Sequence, residues 1–302
     1  MNEPKTRGSE IQNKGCGALY VVSTPIGNLE DITLRALKVL KSVDIIAAEN
    51  VKHTKGLCEH YSIKTRLAGY NQHNRKVKAP ALINKLKSGR HVALVTDAGT
   101  PGISDPGVYL IGQAAKENIT ISPIPGPSAV IAALSVSGLP SEQFVFLGFL
   151  PNRSSKRKKA LSGLIPETRT MVFFEAPHRI RAMLDDLKAI LGDRRMVMLR
   201  EITKVFEDVK RGPVSAVLEH LTPDRKKGEF TLVVAGNEGE KIQPLSEEIL
   251  KRVADLMAEK TLSTRDIAAL VSKEKGIGYR QIYKECIARK RIVEKVATDG
   301  TC

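Results

Sequence analysis

The chain has 302 residues but only four cysteines, Cys16, Cys58, Cys286 and Cys302. No two of them form a Cys-x-x-Cys pair, and their spacing matches neither a zinc site nor a disulfide framework. This pattern favours reduced thiols in a cytoplasmic protein. Tryptophan is absent as well, which excludes no class of protein.

Long apolar runs are also missing. The longest clean ones, such as Ala129–Leu134, are far too short to span a bilayer. The segment Met1–Lys14 is polar and charged, which does not fit a secretory signal. We therefore expect a soluble intracellular protein with no membrane partner, which begins with a disordered tail over residues 1–16.

Several catalytic motifs do not occur. There is no Gly-x-Gly-x-x-Gly after a strand, and there is no phosphate-binding glycine loop that ends in Gly-Lys-Ser or Gly-Lys-Thr. Ser128 lies in Gly-Pro-Ser-Ala-Val, which lacks the second glycine of a nucleophile elbow. No histidine pair has the spacing of a zinc protease. Dinucleotide, nucleoside triphosphate, serine hydrolase and zinc chemistry are therefore disfavoured.

Negative charge is scarce, because 48 Lys and Arg residues face 33 Asp and Glu residues, for a formal net charge of +15. This excess favours a polyanionic partner, and nucleic acid more than membrane because no basic amphipathic anchor stands out. The alternative is a merely basic soluble protein. A basic run would then be only a solvated helix face, whereas with an RNA partner it would bind phosphates. Its residues are Arg153, Lys156, Arg157, Lys158 and Lys159.

One stretch rich in glycine and proline, Val95–Asp105, follows a buried apolar strand and precedes a helix. Loops at this end of parallel strands bind ligands in open α/β sheets. Glycine lets the backbone approach a ligand closely, and Asp97 and Asp105 add two carboxylates. A plain turn would explain the glycines and prolines, but it explains less well the length of the loop and both acids. We therefore predict a ligand-binding loop.

Strands alternate with helices along most of the chain, which predicts right-handed crossovers and a mainly parallel sheet. Three strand ends in the first half carry Gly/Pro loops, Thr24–Asn28, Asp97–Gly107 and Pro125–Ser128. Their convergence on one sheet edge predicts a cleft. The predicted organisation is an N-terminal α/β domain over 17–150, a second α/β domain over 151–240 and a small helical module over 246–302.

Charged groups also follow strands in the second half, and they leave alternatives open. Phe174–Arg179 either caps a helix or places Glu175 in a cleft between the domains. Arg200–Lys204 is most simply a surface ion-pair cluster. At the C-terminus, a helix start at Ser263, a glycine turn and a basic helix over Tyr279–Ile292 suit either a helix-turn-helix-like module or an ordinary helical cap.

Eight segments occur in an order that is typical of one family: Ser23–Thr33, Thr96–Gly107, Pro125–Ala129, Gly148–Pro151, Ser155–Lys159, Phe174–Ile180, Arg200–Lys204 and Gly228–Val234. On these segments the chain resembles the bacterial 16S ribosomal RNA cytidine 2′-O-ribose methyltransferases, which are members of the tetrapyrrole methylase superfamily. The match covers about Leu19 to Gly236, and the C-terminal helices resemble the small helical domain of that family.

The resemblance implies two α/β domains of the tetrapyrrole methylase type with S-adenosylmethionine bound in the cleft between them, and a homodimer. It also implies methylation of the ribose 2′-hydroxyl of a cytidine in the decoding region of 16S ribosomal RNA, with the 30S subunit as partner. Carried over residue by residue, the cofactor-binding positions would be Pro25, Gly27, Asp97, Ala98, Gly99, Ile103, Ser104, Asp105, Pro127, Ser128, Ala176 and Pro177.

The chain departs from the family at two places near the expected substrate. Ala48–Lys52 reads Ala-Glu-Asn-Val-Lys where Ala-Glu-Asp-Thr-Arg is usual, and Tyr70–Asn74 reads Tyr-Asn-Gln-His-Asn where Tyr-His-Glu-His-Asn is common. A ribose hydroxyl ionises far above neutral pH, so a proton acceptor near its oxygen should help the reaction, and no metal is required. The unranked candidates for this catalytic role are Glu49, His73 and Glu175.

Two other functions fit parts of the pattern. The same scaffold would serve a methyltransferase for a small tetrapyrrole or a protein side chain, although such a substrate needs neither the basic run nor the positive charge. A non-catalytic, ribosome-associated RNA-binding protein would account for the two departures from the family.

Overall fold

The computed structural model describes residues 15–222, 227–237, 245–259, 262–275, 279, 281–283 and 285–290. The chain divides into two compact units, Met1–Asn237 and Glu238–Cys302. The tail predicted over 1–16 lies almost entirely outside the described residues. Within those residues, every helix is too short or too polar to cross a bilayer.

Strands and helices alternate through the first half of the larger unit. They are β1 (Ala18–Val22), α1 (Leu34–Ser42), β2 (Ile45–Ala48), α2 (Val51–His60), β3 (Arg66–Gly69), α3 (Arg75–Lys87), β4 (Val92–Val95), α4 (Val108–Lys116), β5 (Thr120–Ile124) and α5 (Ala129–Ser137). The five strands form one sheet in the order β3-β2-β4-β1-β5, in which every neighbouring pair is parallel. The parallel sheet predicted for this half is confirmed.

The central strands of this sheet are buried on both faces. β2 and β4 are short apolar runs in which every residue is buried, as a parallel strand covered by helices on both sides requires. One apolar cluster contains Leu19, Leu86 and Leu110, and a second contains Ile46 and Leu40. Because successive side chains of a strand point to opposite faces, these clusters pack the two sides of the sheet.

The second half of the larger unit is a second sheet with its own helices. Its elements are β6 (Phe144–Phe149), α6 (Ser154–Ser162), β7 (Thr170–Glu175), α7 (Ile180–Leu191), β8 (Arg195–Arg200), β9 (Asp208–Pro213), α8 (Val214–His220) and β10 (Phe230–Val234). The order of the described strands is β6-β7-β10-β8-β9, in which β6 and β7 pair in parallel and the other three neighbouring pairs are antiparallel. The sheet is therefore mixed, unlike the parallel sheet of the first half. The link from β8 to β9 is too short for a parallel crossover, which needs a dozen or more residues.

The boundary between the sheets lies earlier than the predicted position after residue 150. β6 pairs with β7, so this strand belongs to the second sheet. α5 packs there as well, because Val130, Ala133 and Leu134 share an apolar cluster with Val172 and Val197. The change from one sheet to the other therefore falls before residue 144, and α5, which follows the last strand of the first sheet, packs against the second sheet.

The smaller unit contains α9 (Glu247–Ala258) and α10 (Thr264–Lys275). The main-chain N–H of Asp266 donates a hydrogen bond to the Ser263 hydroxyl, as the predicted helix start requires. Val253, Ile267 and Ile282 belong to the apolar cluster of this unit. The predicted glycine turn lies outside the described residues, whereas the described residues between 279 and 290 are helical.

Candidate active site

The loops that follow β1, β4 and β5 meet at one edge of the first sheet, because these three strands are adjacent and parallel. Thr24 and Gly99 exchange two main-chain hydrogen bonds, with N···O distances of 2.9 and 3.1 Å. The hydroxyl oxygens of Ser23 and Thr100 lie 2.8 Å apart. The predicted convergence of the three loops is confirmed by the strand order, and the loops after β1 and β4 are hydrogen-bonded to each other.

A cavity of about 490 Å³, the first cavity, opens between these loops and the second sheet. The second half of the unit contributes Phe174, Ile202 and Thr231 to its wall, so both halves build the cavity. Of the twelve residues predicted to bind the cofactor, nine line it: Asp97, Ala98, Gly99, Ile103, Ser104, Asp105, Ser128, Ala176 and Pro177.

Besides Glu175, four carboxylates line the wall of the first cavity, those of Glu49, Asp97, Asp105 and Glu229. Burial, followed by the negative charges of the other three, raises the pKa of Asp105 to about 7. Burial also raises the pKa of Glu49, while a main-chain hydrogen bond from Asp97 acts in the opposite direction. Oδ1 of Asp97 is buried with no hydrogen-bond partner among the described residues. Crowded carboxylates of this kind favour a positively charged ligand.

Glu175 lines the same cavity, but its side chain is fully buried and already engaged. It accepts hydrogen bonds from the main-chain N–H of Ala176 at 2.8 Å and from Nη2 of Arg179 at 3.2 Å. Burial raises the pKa of Glu175, while these two partners lower it. Arg179 donates a further hydrogen bond, of 2.6 Å, to the carbonyl oxygen of Leu150. Glu175 therefore orders the turn that carries Pro177.

A second cavity, of about 740 Å³, shares a wall with the first. The residues common to both are Ile26, Asp97, Ala98 and Glu229. The second cavity is also lined by the start of α2 and by Lys204 from the second half of the unit. The two cavities therefore adjoin along a wall that contains two carboxylates.

The remaining predicted residues lie apart from the first cavity. Pro25 and Gly27 line the second cavity. Pro127 and His73 line neither of the two. His73 is exposed in the turn after β3, where its main-chain N–H donates to Oδ1 of Asn71. Over the residues that the structure describes, no group of three or more His, Cys, Asp or Glu side chains is arranged to bind a metal ion.

The segment Arg200–Lys204 contributes to both cavities, which its sequence did not predict. Ile202 lines the first cavity and Lys204 the second. Glu201 and Thr203 have φ angles of 52° and 66°, which are uncommon for residues with a side chain. Nζ of Lys204 donates hydrogen bonds to Glu201 at 2.9 Å and to Glu229 at 3.1 Å. This network holds the strained segment against the cavities. In the sequence, this segment was marked by a strand end with charges of both signs and by its place among the eight family segments.

Gly27 is the point where this segment contacts the first half of the unit. A Cβ atom at Gly27 would lie 2.5 Å from Cγ of Lys204 and 2.9 Å from the carbonyl oxygen of Ile202. The main-chain N–H of the next residue, Asn28, donates to Oγ1 of Thr203 at 3.0 Å. The close approach of the two segments therefore requires a residue without a side chain.

The basic run does not act as one surface. Arg157 is only 3% exposed, and its Nε donates to Oδ2 of Asp186, itself buried, at 2.8 Å. This corrects the prediction that Arg157 binds RNA: a buried guanidinium needs a counter-ion within the protein and is not available to a phosphate. The other four residues of the run are exposed, namely Arg153, Lys156, Lys158 and Lys159.

Known proteins are similar to this chain in sequence or in architecture. The family of tetrapyrrole (corrin/porphyrin) methylases matches residues 18–218. A ribosomal RNA small subunit methyltransferase I from Halalkalibacterium halodurans is 44% identical over 285 residues, which cover 92% of this chain and 98% of the relative. The protein of the same name from Escherichia coli O157:H7 is 43% identical over 277 residues, which cover 91% and 96%.

The fold also matches a solved structure, that of uroporphyrin-III C-methyltransferase from Thermus thermophilus in complex with S-adenosyl homocysteine. The TM-score is 0.52 at 15% identity, and the match covers 72% of this chain and 97% of that one. At this identity the likeness supports the fold alone. With the family match over the larger unit and the relatives above 40% identity, the chain belongs to the tetrapyrrole methylase family.

Proposed function

We propose that this protein transfers a methyl group from S-adenosylmethionine to the ribose 2′-hydroxyl of a cytidine in the decoding region of 16S ribosomal RNA. The observation that carries the proposal is the pair of adjoining cavities, of which the first is acidic and built by both halves of the larger unit. Family membership and the names of the relatives, which refer to the RNA of the small subunit, support it.

The first cavity suits S-adenosylmethionine through its charge. The cofactor carries a positive sulfonium and a positive ammonium group, and the four crowded carboxylates would be stabilised by such a ligand. The buried oxygen of Asp97 that has no partner among the described residues is an acceptor for an ammonium group or a sugar hydroxyl. When bound, the cofactor supplies an activated methyl group. The protein then has mainly to hold the nucleophile in line with it.

The target nucleotide would enter the second cavity. A ribose hydroxyl at the wall formed by Ile26, Asp97 and Ala98 would lie directly beside the first cavity. The exposed residues of the basic run and the net charge of +15 would bind phosphates of the surrounding RNA. A small substrate would need neither feature, so RNA is favoured over a tetrapyrrole or a protein side chain.

Glu49 is the best placed of the three candidates for accepting the proton. Its carboxylate lines the first cavity, and the next residue, Asn50, lines the second. Burial raises the pKa of Glu49 above its ordinary value, which makes its carboxylate a stronger base. Glu175 is bound to Arg179, and His73 lines neither cavity. We therefore assign the proton transfer to Glu49.

We further propose that the protein acts as a homodimer in the cytoplasm. The resemblance to the family and the expected RNA substrate support this. Large apolar side chains exposed on the larger unit are candidates for the dimer interface, and these include Leu34, Val77, Val108, Val205 and Phe206. Sedimentation at micromolar concentration tests the proposal, and a mass equal to that of one chain would exclude the dimer.

The test of the activity is methyl transfer from labelled cofactor to unmethylated 30S subunits and to naked 16S RNA, followed by digestion to nucleosides and mass spectrometry. We expect 2′-O-methylcytidine with the native chain, and none with Asp97→Asn. Transfer only to bases, or to no form of the RNA, would contradict the proposal. Calorimetry distinguishes the rivals: cofactor binding without transfer to RNA indicates another methyl acceptor, and no binding indicates a non-catalytic RNA-binding protein.

A further inference from the structure

The start of α2 forms one end of the second cavity. The helix cap Asn50 and the residues Lys52, His53 and Thr54 all line it. The Asn50 side chain accepts hydrogen bonds from the main-chain N–H groups of Lys52 and His53, and the first turn contains no acidic residue. The N-terminus of a helix carries partial positive charge, which here adds to the charge of Lys52.

Thr54 provides an independent sign that a ligand belongs here. It is 3% exposed, it lines the second cavity, and its Oγ1 has no hydrogen-bond partner among the described residues. A buried hydroxyl without a partner is unfavourable, and most such groups in proteins are satisfied. An acceptor atom of a ligand in the cavity would complete its hydrogen bonding.

The side chains of Lys52 and His53 are also free to bind. Both are exposed, and no hydrogen bond or ion pair joins either side chain to another described residue. Lys55, on the same helix, instead pairs with Glu59 at 3.5 Å and does not line the cavity. α2 therefore has one lysine, Lys55, that forms an ion pair away from the cavity. The other, Lys52, lies at the cavity and has no side-chain partner among the described residues.

The charged groups of the second cavity are distributed unevenly. Its acidic residues, Asp97 and Glu229, lie on the wall shared with the first cavity. Lys204 is held by Glu201 and Glu229, so its charge is already balanced. Of the described Lys and Arg residues that line this cavity, Lys52 at the start of α2 is the other one. A phosphate would be repelled by the acidic wall and attracted by the helix start, whereas the hydroxyls of a ribose tolerate the acidic wall.

We propose that Lys52, His53 and Thr54 hold a phosphate group that flanks the target ribose, and so direct its 2′-hydroxyl to the wall shared with the first cavity. This inference rests on the proposed function and assigns the specificity-determining contacts of its substrate site. The ligand class is a cytidine nucleotide within a polynucleotide, and the recognised group is its 3′- or 5′-phosphodiester.

The first test measures binding of cytidine, cytidine 3′-monophosphate and cytidine 5′-monophosphate to the full chain by calorimetry. One monophosphate should bind about tenfold more tightly than cytidine, the effect of a hydrogen bond to a charged group. Lys52→Ala and Thr54→Val should abolish that difference, while Thr54→Ser, which retains the hydroxyl, and Lys55→Ala should keep it. If neither monophosphate binds more tightly than cytidine, the inference is wrong whatever the natural substrate.

The second test uses methylation of 30S subunits. Lys52→Ala should raise KM for the subunit and reduce the slope of log KM against log salt by about one, as for one lost phosphate contact, with cofactor affinity unchanged. Equal behaviour of Lys52→Ala and Lys55→Ala would overturn the inference and leave the proposed function intact. If the native chain methylates no RNA, the proposed function is contradicted instead. The inference is then tested by the calorimetric binding of the cytidine monophosphates alone.

Discussion

The main-chain N–H of Asp97 donates a hydrogen bond to Oε2 of Glu49 across 3.4 Å. The two residues follow neighbouring parallel strands, β4 and β2, so this contact joins two strand ends at the cavity edge. It also occupies one oxygen of Glu49 and opposes the rise in the pKa of that carboxyl that burial causes. Glu49 is thus held in position and can still accept a proton.

The substitution Glu49→Gln tests this role. The amide oxygen can still accept the hydrogen bond from Asp97, but it cannot take up a proton, so kcat should fall by about 10²-fold or more. Cofactor affinity should change by less than about tenfold, because one of several charge contacts is lost. Single-turnover methylation and calorimetry measure the two effects. His73→Ala is the control and should behave like the native chain, and an unchanged kcat in Glu49→Gln would exclude Glu49 as the acceptor.

Asp105 should make the stability of the ligand-free protein depend on pH. Its pKa is raised from the ordinary 3.8 to about 7, so the fold favours the neutral carboxyl. The stability that comes from this group is complete below pH 3.8 and is lost as the pH rises through about 7. Thermal unfolding from pH 5 to 9 should show this decrease, and Asp105→Asn should flatten it. Identical pH profiles would contradict the assignment.

The same carboxyl should make cofactor binding depend on pH in the opposite direction. A positive ligand favours ionised Asp105, so the affinity for S-adenosylmethionine should increase with pH by up to about tenfold per unit below pH 7. S-adenosylhomocysteine lacks the sulfonium charge and should show a weaker dependence. Calorimetry of both ligands at pH 6 and 8 provides the measurement. Equal dependence for the two would mean that Asp105 does not sense the sulfonium.

The first sheet and its loops could be predicted because their signals are local. A fully buried strand such as β4 must be apolar throughout, so its sequence is recognisable. The loop after it is indicated by the glycines Gly99 and Gly102 and by the acids Asp97 and Asp105. Adjacent parallel strands then bring such loops together without further information. Nine of the twelve cofactor positions expected from the family resemblance line the first cavity, and seven of these nine lie on the loops of the first sheet; the other two, Ala176 and Pro177, come from the second sheet.

The remaining features depend on contacts between distant parts of the chain. β6 was predicted to belong to the first half. Its partner, β7, follows α6 in the chain, and no pattern within Phe144–Phe149 indicates which strand it pairs with. The role of Arg200–Lys204 depends on its contact with Gly27. Arg157 has the same charge as its neighbours, and only helix packing shows that it faces Asp186.

Gly27→Ala tests the contact between the two halves. The added Cβ would overlap Lys204 and the carbonyl group of Ile202, so the segment must move away from the cavities. We expect cofactor affinity and kcat both to fall by about tenfold or more, because small displacements of positioned groups are costly. Gly112→Ala in α4 is the control: nothing lies within 4 Å of its Cβ, and it should stabilise the fold by about 0.5–1 kcal/mol. Native activity in Gly27→Ala would show that the contact is dispensable.

Arg157→Ala separates stability from RNA binding within the basic run. The substitution leaves Asp186 buried without its main partner, which should lower the free energy of unfolding in urea by about 3–5 kcal/mol. The exposed neighbour Lys156 has no such role, so Lys156→Ala should change stability by less than about 0.5 kcal/mol. Lys156→Ala should instead weaken binding to 30S subunits at low salt, where an exposed lysine contributes most. If Arg157→Ala were as stable as the native chain and lost RNA affinity, the guanidinium would have to reach solvent.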